Sequence, residues 1–254
     1  MIENKRIIPK LEIKNNYLIK GVQFEGLRII GDPVLYAKEF FKKSADQIII
    51  NDIVASLYSR ESIFSTIDKM TNDVFVPITA GGGIRSIDDI KNFLEAGADR
   101  VFLNTYALEN PEFIKKISNL FGRQFITISI EVKKIKNEYY CMKNHGRDNS
   151  GYLFEKWIEI IKEYDVGEIQ ILSIDNDGME NGFDNELLNL ILNLKVNCPI
   201  ILGGGINSNL VCHNILKNHE ISGVSISTAL YNKQINIPKL KNYLKKNKIN
   251  VNQI

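Results

Sequence analysis

The chain has 254 residues, of which 44% are hydrophobic, and a formal net charge of +2 at pH 7. This balance gives no general reason to expect nucleic acid or a membrane surface as a partner. Its three cysteines have no pairing or metal-binding spacing, which favours a reducing environment. No apolar run approaches the roughly 18 residues of a membrane span, and the first residues lack a signal-peptide pattern. These features predict a soluble, cytoplasmic protein with one domain over residues 1–254.

Strand-like and helix-like segments alternate along the chain. The predicted strands are 6–13, 47–52, 74–78, 100–104, 125–132, 168–174, 198–202 and 223–227. The predicted helices are 32–43, 60–71, 86–96, 111–121, 152–164, 184–194, 208–218 and 238–246. Residues 15–30 are predicted to be a long loop, and residues 138–142 to form a small hairpin. Eight strand–helix units in a chain of this length predict an α/β fold of the (β/α)8 TIM-barrel type.

The two halves of the chain repeat one another. Residues 79–86 (TAGGGIRS) match residues 202–208 (LGGGINS). Three further pairs match at nearly the same separation: 101–105 with 224–228, 48–52 with 171–175, and 9–12 with 129–131. A repeat at a constant offset indicates an internal duplication. The barrel is therefore predicted to consist of two (β/α)4 halves.

Each glycine run lies between a strand and a helix that begins at a serine. Free backbone N–H groups and the positive end of the helix dipole favour an anion there, usually a phosphate. For one copy alone, a tight turn that merely requires glycine is an equal alternative, but two copies in register favour phosphate sites. The predicted sites combine Gly82, Gly83, Asn104 and Thr105 in the first half, and Gly204, Gly205, Ser227 and Thr228 in the second. A ligand that spans both would carry a phosphate at each end.

Two carboxyl groups end the first and fifth predicted strands, Glu12 and Glu131. Catalytic groups of such barrels lie at the carboxyl ends of the strands, and these two strands face each other across the mouth. Opposed carboxyl groups between two phosphate sites suit general acid–base chemistry on the middle of a bisphosphate. Alternatively, they are solvated strand ends or salt-bridge partners.

Other polar residues follow the strands. Asp52, Asp177 and Gly178 are candidate ligand contacts, although residues 175–178 more commonly form only an Asx turn that caps the sixth strand. His145 lies in the polar segment 133–151, which could reach the mouth, but its interpretation as a solvated loop residue is favoured. His213 and His219 are interpreted as surface residues.

Charged or polar residues also begin four of the strands: Arg6, Gln47, Arg100 and Glu168. Such a layer can plug the bottom of a parallel barrel. Taken by itself, the pattern favours a purely structural role, as is common for this end of the fold.

Motifs along almost the whole chain resemble one family. They are 5–9 (KRIIP), 31–33 (GDP), 80–86 (AGGGIRS), 96–101 (AGADRV), 103–105 (LNT), 167–169 (GEI), 173–178 (SIDNDG) and 182–184 (GFD). Together they are similar to the cyclase subunit of imidazole glycerol phosphate synthase, an enzyme of histidine biosynthesis.

The resemblance implies a heterodimer with a separate glutaminase subunit, and no metal or cofactor. Ammonia from the partner would enter at the bottom of the barrel and attack a bisphosphorylated formimino-carboxamide ribonucleotide. The products would be imidazole glycerol phosphate and aminoimidazole carboxamide ribonucleotide. The resemblance makes Glu12 and Glu131 the catalytic residues and adds Lys20 to the ligand site. It assigns the ammonia gate and partner interface to Arg6, Gln47, Asp99, Arg100 and Glu168.

The chain departs from the family pattern at five single positions and at residues 202–206 (LGGGI), where the family usually has smaller residues. Glu12 and Glu131 stand where the family has Asp, Lys10 stands where it usually has Cys, and Gln47 and Arg100 replace Glu and Lys. The longer side chains move each carboxyl group by about one methylene, and a misplacement of about 1 Å can cost on the order of a hundredfold in rate. Two other functions remain open: a paralogue that supplies ammonia to a sugar amidotransferase of surface-polysaccharide synthesis, and a non-catalytic ammonia conduit.

Overall fold

The computed structural model describes residues 4–54 and 61–252. The strands are β1 (Arg6–Lys14), β2 (Tyr17–Val22), β3 (Glu25–Gly31), β4 (Ile48–Asp52), β5 (Ile78–Gly81), β6 (Arg100–Leu103), β7 (Ile126–Ile135), β8 (Glu138–Lys143), β9 (Asp148–Leu153), β10 (Glu168–Ser173), β11 (Ile200–Gly203) and β12 (Ile221–Ile226). The helices are α1 (Pro33–Lys42), α2 (Glu61–Thr71), α3 (Ile87–Glu95), α4 (Thr105–Glu109), α5 (Glu112–Phe121), α6 (Phe154–Lys162), α7 (Asn185–Asn193), α8 (Asn209–Leu216), α9 (Thr228–Tyr231) and α10 (Ile237–Lys246). A single 3₁₀ turn, Arg123–Phe125, is described before β7.

The barrel is closed and parallel. Its strands pair in the order β1, β4, β5, β6, β7, β10, β11 and β12, and β12 pairs again with β1. Helices connect successive barrel strands and bury their apolar faces against the outside of the sheet. The predicted (β/α)8 fold is therefore confirmed. None of the described helices is long and apolar enough to cross a membrane.

Local sequence signals fix where several helices begin. The Asp32 carboxylate accepts a hydrogen bond from the Val34 N–H, and Pro33 occupies the first turn of α1. Ser86 and Asp89 form a capping box at the start of α3. Ser208 caps α8 by accepting a hydrogen bond from Val211 N–H at 3.3 Å. The two serine-capped helices follow the two glycine runs, as the repeat predicts.

The prediction of a loop over residues 15–30 is wrong. These residues form β2 and β3, an antiparallel extension of β1. Asn15 and Asn16 turn the chain with φ angles of 48° and 66°, a left-handed conformation that asparagine tolerates and that tight hairpins require. Gln23 and Phe24 make the next turn with φ angles of 51° and 67°. The two asparagines were the available sequence signal for this hairpin.

The predicted hairpin near residues 138–142 is confirmed and is larger than expected. β8 pairs with the extended end of β7, and β9 pairs with β8. Lys136 and Asn137 make the first turn with φ angles of 48° and 68°. Each half of the barrel thus extends its first strand into two successive hairpins above the mouth.

Several predicted boundaries shift for identifiable reasons. β5 begins at Ile78 rather than at residue 74, because Val74 N–H still bonds to the last turn of α2 and Pro77 has no N–H to give to the sheet. In the same way, β11 begins at Ile200, directly after Pro199. Residues 152 and 153 belong to β9 rather than to the helix that follows. Residue 60, where the second predicted helix begins, lies outside the described residues.

Candidate active site

Successive side chains of β1 point alternately out of and into the barrel, and this alternation determines which of them fill the interior. Ile7 and Leu11 pack in the core between the sheet and the helices, so Ile8, Lys10 and Glu12 lie on the opposite, inner face. This inner row begins at the strand start and ends at the mouth. One strand therefore contributes both an apolar residue to the barrel interior and two charged residues to the mouth.

Glu12 is held by two ammonium groups. Lys10 Nζ lies 2.6 Å from Glu12 Oε1 and Lys20 Nζ lies 3.0 Å from Oε2, while Lys20 also pairs with Asp177. Glu12 is only 1% exposed. Burial alone would raise the pKa of Glu12, but the charges of Lys10 and Lys20 outweigh it and hold the pKa well below its usual range. Glu12 is therefore ionised at neutral pH.

Glu131 has the opposite electrostatic environment. Its burial raises its pKa to about 7, against partial opposition from the Lys10 charge and from the Gly146 N–H, which donates to Glu131 Oε2 at 2.9 Å. The two glutamates thus differ in protonation state at neutral pH. Carboxyl groups whose pKa values are pushed apart in this way can act as a base and an acid in one site.

The first-half residues predicted to bind phosphate line one cavity at the mouth. Gly82, Gly83, Asn104 and Thr105 surround it together with Asp52. Gly82 has a φ angle of 125°, and a Cβ atom there would lie 2.3 Å from the Asp52 carbonyl oxygen, so only glycine fits. The Asn104 side chain also borders this cavity, with its Oδ1 atom buried and unpaired within the described residues.

The second-half residues line a corresponding cavity. Gly204, Gly205, Ser227 and Thr228 surround it together with Asp177 and Gly178. A Cβ atom at Gly205 would lie 2.2 Å from the Gly182 carbonyl oxygen. The Thr228 hydroxyl is buried and has no hydrogen-bond partner among residues 4–54 and 61–252. All eight predicted residues thus lie in two cavities, one in each half.

The interpretation of His145 as a solvated loop residue is wrong. Its side chain is 8% exposed and its ring stacks on that of Phe24, with centroids 4.4 Å apart and an interplanar angle of 8°. His145 Nδ1 lies 3.9 Å from Glu131 Oε1. Burial lowers the pKa of His145 to about 4, so the ring is uncharged at neutral pH. The sequence did not reveal the positions of the Phe24 and His145 rings, because these depend on how the β2–β3 and β8–β9 hairpins fold over the mouth.

The hairpin formed by β2 and β3 is held over the mouth by contacts of its turn. Gln23 N–H donates to the Asp177 carbonyl oxygen at 2.8 Å, and the Phe24 ring centroid lies 5.3 Å from Lys10 Nζ and 5.7 Å from Lys20 Nζ. Residues 175–178 are therefore more than a turn that ends a strand, because they also hold this hairpin and pair with Lys20. The structure brings Lys20 and Asp177 to Glu12, as expected for residues of one site.

At the opposite end, the four predicted gate residues lie in a ring around the strand starts, and their contacts link them in the order Gln47, Arg6, Glu168 and Arg100. Arg6 pairs with Glu168 and donates to Gln47 Oε1 at 2.7 Å, while Arg100 lies 3.3 Å from the same Glu168 carboxylate. Asp99 lies at this face but outside the ring, where its carboxylate accepts a hydrogen bond from the backbone of β5. His219 is exposed, as predicted, whereas His213 is half-buried with an unpaired Nδ1 in the described structure.

A row of polar side chains, which the sequence did not reveal, lies between this ring and the mouth. Gln170 bonds to Ser129 at 3.4 Å and to Ser225 at 3.1 Å, and all three are buried. Beside them lies an apolar layer made of Ile8, Ile49, Phe102 and Ile201. The barrel interior is therefore partly polar along its length.

A closed (β/α)8 barrel with buried ionisable groups at the carboxyl ends of its strands has the architecture of TIM-barrel enzymes. The family described as "Histidine biosynthesis protein" matches residues 6–236. The chain belongs to this family, which confirms the resemblance seen in its motifs.

Several relatives carry one name. The chain is 36% identical over 247 residues to imidazole glycerol phosphate synthase subunit HisF of Natranaerobius thermophilus, covering 97% of this chain and 98% of that protein. The protein of the same name from Hydrogenobaculum is 37% identical over 248 residues, covering 97% and 98%. The one from Legionella pneumophila is 41% identical over 205 residues, covering 80% of this chain and 96% of that protein.

Proposed function

We propose that this protein is the cyclase subunit of imidazole glycerol phosphate synthase. It would use ammonia to convert a bisphosphorylated formimino-carboxamide ribonucleotide into imidazole glycerol phosphate and aminoimidazole carboxamide ribonucleotide. The observation that carries the proposal is the pair Glu12 and Glu131, one ionised and one titrating near pH 7, at a barrel mouth that has a glycine-lined cavity in each half. The relatives named above support the same reaction.

The chemistry requires proton transfer in both directions. Ammonia that becomes bonded to carbon must lose protons, and the aminoimidazole nitrogen that departs must gain one. Glu12 is ionised and can accept a proton or stabilise a cationic intermediate. Glu131 carries a proton for about half the time near pH 7 and can donate it to the departing nitrogen. Lys20 and Asp177 keep Glu12 in place.

The two cavities would hold the two phosphates. Backbone N–H groups of Gly82–Gly83 and Gly204–Gly205, with the hydroxyl groups of Thr105 and Thr228, can donate to phosphate oxygens. The carboxyl groups would then act on the middle of the ligand. A protein that only conducts ammonia has no need of two such cavities, which favours the cyclase over the conduit.

The ammonia source would be a separate glutaminase subunit, bound one-to-one at the strand-start face. Arg6, Gln47, Arg100 and Glu168 would gate the entry of ammonia there, and the contacts that link them support this role. Above the ring, the Ser129–Gln170–Ser225 row offers hydrogen-bond partners to a small polar molecule moving towards the mouth.

One observation favours a second candidate, the paralogue that supplies ammonia to a sugar amidotransferase. Lys10 Nζ lies 2.6 Å from one carboxylate oxygen of Glu12, and Lys20 Nζ pairs with the other oxygen. Both ammonium groups lower the basicity of the carboxylate. A protein that no longer needs Glu12 as a base can tolerate this arrangement. The cyclase remains the proposal because Glu131 keeps a pKa suited to proton transfer.

The test is product formation from the bisphosphorylated ribonucleotide with ammonium salt, which bypasses the glutaminase. The purified chain should form imidazole glycerol phosphate and aminoimidazole carboxamide ribonucleotide in equal amounts. A chain that binds the bisphosphate without forming product would instead favour the paralogue. If the chain does not bind the bisphosphate at all, the conduit would be favoured.

A further inference from the structure

Each half of the barrel places one ring over the mouth. Phe24 lies at the turn between β2 and β3, and His145 lies in the turn between β8 and β9, both with positive φ angles. The rings stack on each other 4.4 Å apart. The two halves thus meet at a contact whose members differ chemically, because only His145 has polar atoms.

His145 is buried without satisfying its hydrogen-bonding groups. Neither ring nitrogen has a hydrogen-bond partner within the described ranges, although the side chain is only 8% exposed. Asn104 Oδ1 is likewise buried and unpaired, whereas its amide nitrogen donates to the Met142 carbonyl oxygen at 3.2 Å. Both residues line the first-half cavity. Buried polar groups normally have partners, so two unpaired ones in a single cavity indicate a ligand that supplies them.

The chemistry of these atoms restricts that ligand. Asn104 Oδ1 can only accept a hydrogen bond, and an uncharged imidazole offers one donor and one acceptor. A phosphate oxygen cannot donate to Asn104 Oδ1. A carboxamide can, because its NH₂ group donates while its carbonyl oxygen accepts from an imidazole N–H. The unpaired atoms therefore fit an uncharged amide better than a second anion.

The charges around the mouth are also unequal. Lys10 and Lys20 surround Glu12, whereas the corresponding inner-face position two residues before Glu131 is Ser129. The charged groups that act on His145 are Glu12 and Lys10 of β1, Lys20 of β2, Glu131 of β7, and Arg147 in the same turn. The buried lysines thus pair with Glu12, whereas no lysine or arginine forms an ion pair with Glu131 in the described structure.

We propose that His145, together with Asn104, is a specificity-determining contact that binds a carboxamide group of the ligand. A bisphosphate between two similar cavities could lie either way round. The contact at His145 would admit only the orientation that places the carboxamide beside Glu131. This inference deepens the proposed function and rests on it for the identity of the ligand.

The experiment compares two probes that differ in a single group. Aminoimidazole carboxamide ribonucleotide carries the amide, and its carboxylate analogue replaces the NH₂ group with oxygen. Their dissociation constants are measured by calorimetry with the wild type, His145→Phe and His145→Asn. His145→Phe keeps a ring against Phe24, and His145→Asn keeps hydrogen-bonding groups in a left-handed conformation that asparagine tolerates.

The wild type should prefer the carboxamide by at least about tenfold, because a carboxylate supplies no donor to Asn104 Oδ1 or to the unprotonated His145 nitrogen. His145→Phe removes the second of these acceptors and should reduce the preference by about threefold or more, and His145→Asn should restore part of it. The ¹⁵N resonances of His145 should shift with the carboxamide probe, while those of His213 and His219, on and after α8, should not.

Two results would overturn the inference: a wild type without preference, or a His145→Phe variant that keeps the full preference. Neither decides the proposed function, which is judged by ammonium-dependent product formation. A preference that depends on His145 in a chain that forms no product would support the contact and contradict the cyclase.

Discussion

The ammonium group of Lys10 lies 2.6 Å from the carboxylate of Glu12, and both side chains are buried inside the barrel mouth. The family that the chain resembles usually has a cysteine at the position of Lys10. The additional cation explains how a carboxyl group longer by one methylene is kept ionised and fixed in position. It also makes the two glutamates unequal, which is the basis of the acid–base roles proposed above.

Lys10→Met should destabilise the protein at pH 7 by about 3 kcal/mol, because removing one partner of a buried pair leaves a charge that is poorly compensated. Because Lys20 still pairs with Glu12 in this variant, we expect the loss of stability to be near the lower end of the range for broken buried ion pairs. The Glu12 pKa is lowered in the fold, so its stabilising contribution is full above its ordinary value and declines as the pH falls below about 4.5. Urea unfolding at pH 7 and pH 3 measures the difference.

The control is Lys38→Met, which removes the half-buried partner of the exposed Asp73 and should cost less than about 1 kcal/mol. Equal losses for the two variants would show that the Lys10–Glu12 pair does not stabilise the fold.

Glu131→Gln should stabilise the protein at high pH. The raised pKa means that the folded state binds the Glu131 proton more tightly than the unfolded state does, so wild-type stability falls as the pH rises from about 4.5 to about 7. The variant avoids this penalty, which amounts to about 3 kcal/mol above pH 7. Melting temperatures at pH 4 and pH 8 should differ between the proteins only at pH 8.

Glu163→Gln is the matched control, because Glu163 is exposed at the end of α6. A Glu131→Gln variant that behaves like this control at both pH values would contradict the raised pKa.

Thr228→Val should separate ligand binding from stability. The Thr228 hydroxyl is buried without a partner in the described structure, so valine removes an unsatisfied group and should leave the melting temperature unchanged or slightly higher. Binding of the bisphosphate should weaken by about tenfold, the effect of losing one hydrogen bond to a charged group. Calorimetric titration measures the affinity.

Thr127→Val tests whether this effect is specific to the cavity. Thr127 is also buried, but it lies on β7 near the strand-start ring, where its hydroxyl donates to Glu168. Unchanged bisphosphate affinity in Thr228→Val, or an equal loss of affinity in both variants, would contradict phosphate binding in the second-half cavity.

Glu168→Gln should reduce the transfer of ammonia from the glutaminase subunit to the barrel mouth. Glu168 joins Arg6 and Arg100 in the ring, so the amide weakens both ion pairs at the proposed ammonia entrance. The rate driven by glutamine in the one-to-one complex should fall relative to the rate driven by ammonium salt. Lys91→Ala, on the outer face of α3, should leave this ratio unchanged. If Glu168→Gln also leaves it unchanged, the strand-start ring is not the ammonia entrance.

The sequence was most informative where a local pattern determines structure. The duplicated glycine runs predicted the barrel and both cavities, because a glycine turn before a serine-capped helix has the same geometry in each copy. It was least informative where long-range folding decides. Phe24 and His145 meet only because two hairpins fold over the mouth, and Lys20 meets Asp177 only because the turn at the end of β10 lies beside β2.

The protonation states of the two glutamates could not be predicted from the sequence either. Glu12 and Glu131 are the same residue type at matching positions of the repeat, and the duplication suggested that they were equivalent. Their difference arises because Lys10 on β1 and Lys20 on β2 lower the pKa of Glu12, whereas burial raises the pKa of Glu131 despite the hydrogen bond from Gly146 N–H.

The most direct measurement of the central claim is the pH dependence of kcat/KM for ammonium-driven product formation, with free ammonia held constant. With Glu131 as the proton donor, the wild-type rate should fall as the pH rises through about 7. Glu131→Gln should lower the rate by about a hundred- to ten-thousandfold while binding of the bisphosphate persists. A wild type that binds the bisphosphate but forms no product at saturating ammonium, or a Glu131→Gln variant with the wild-type rate and profile, would contradict the account.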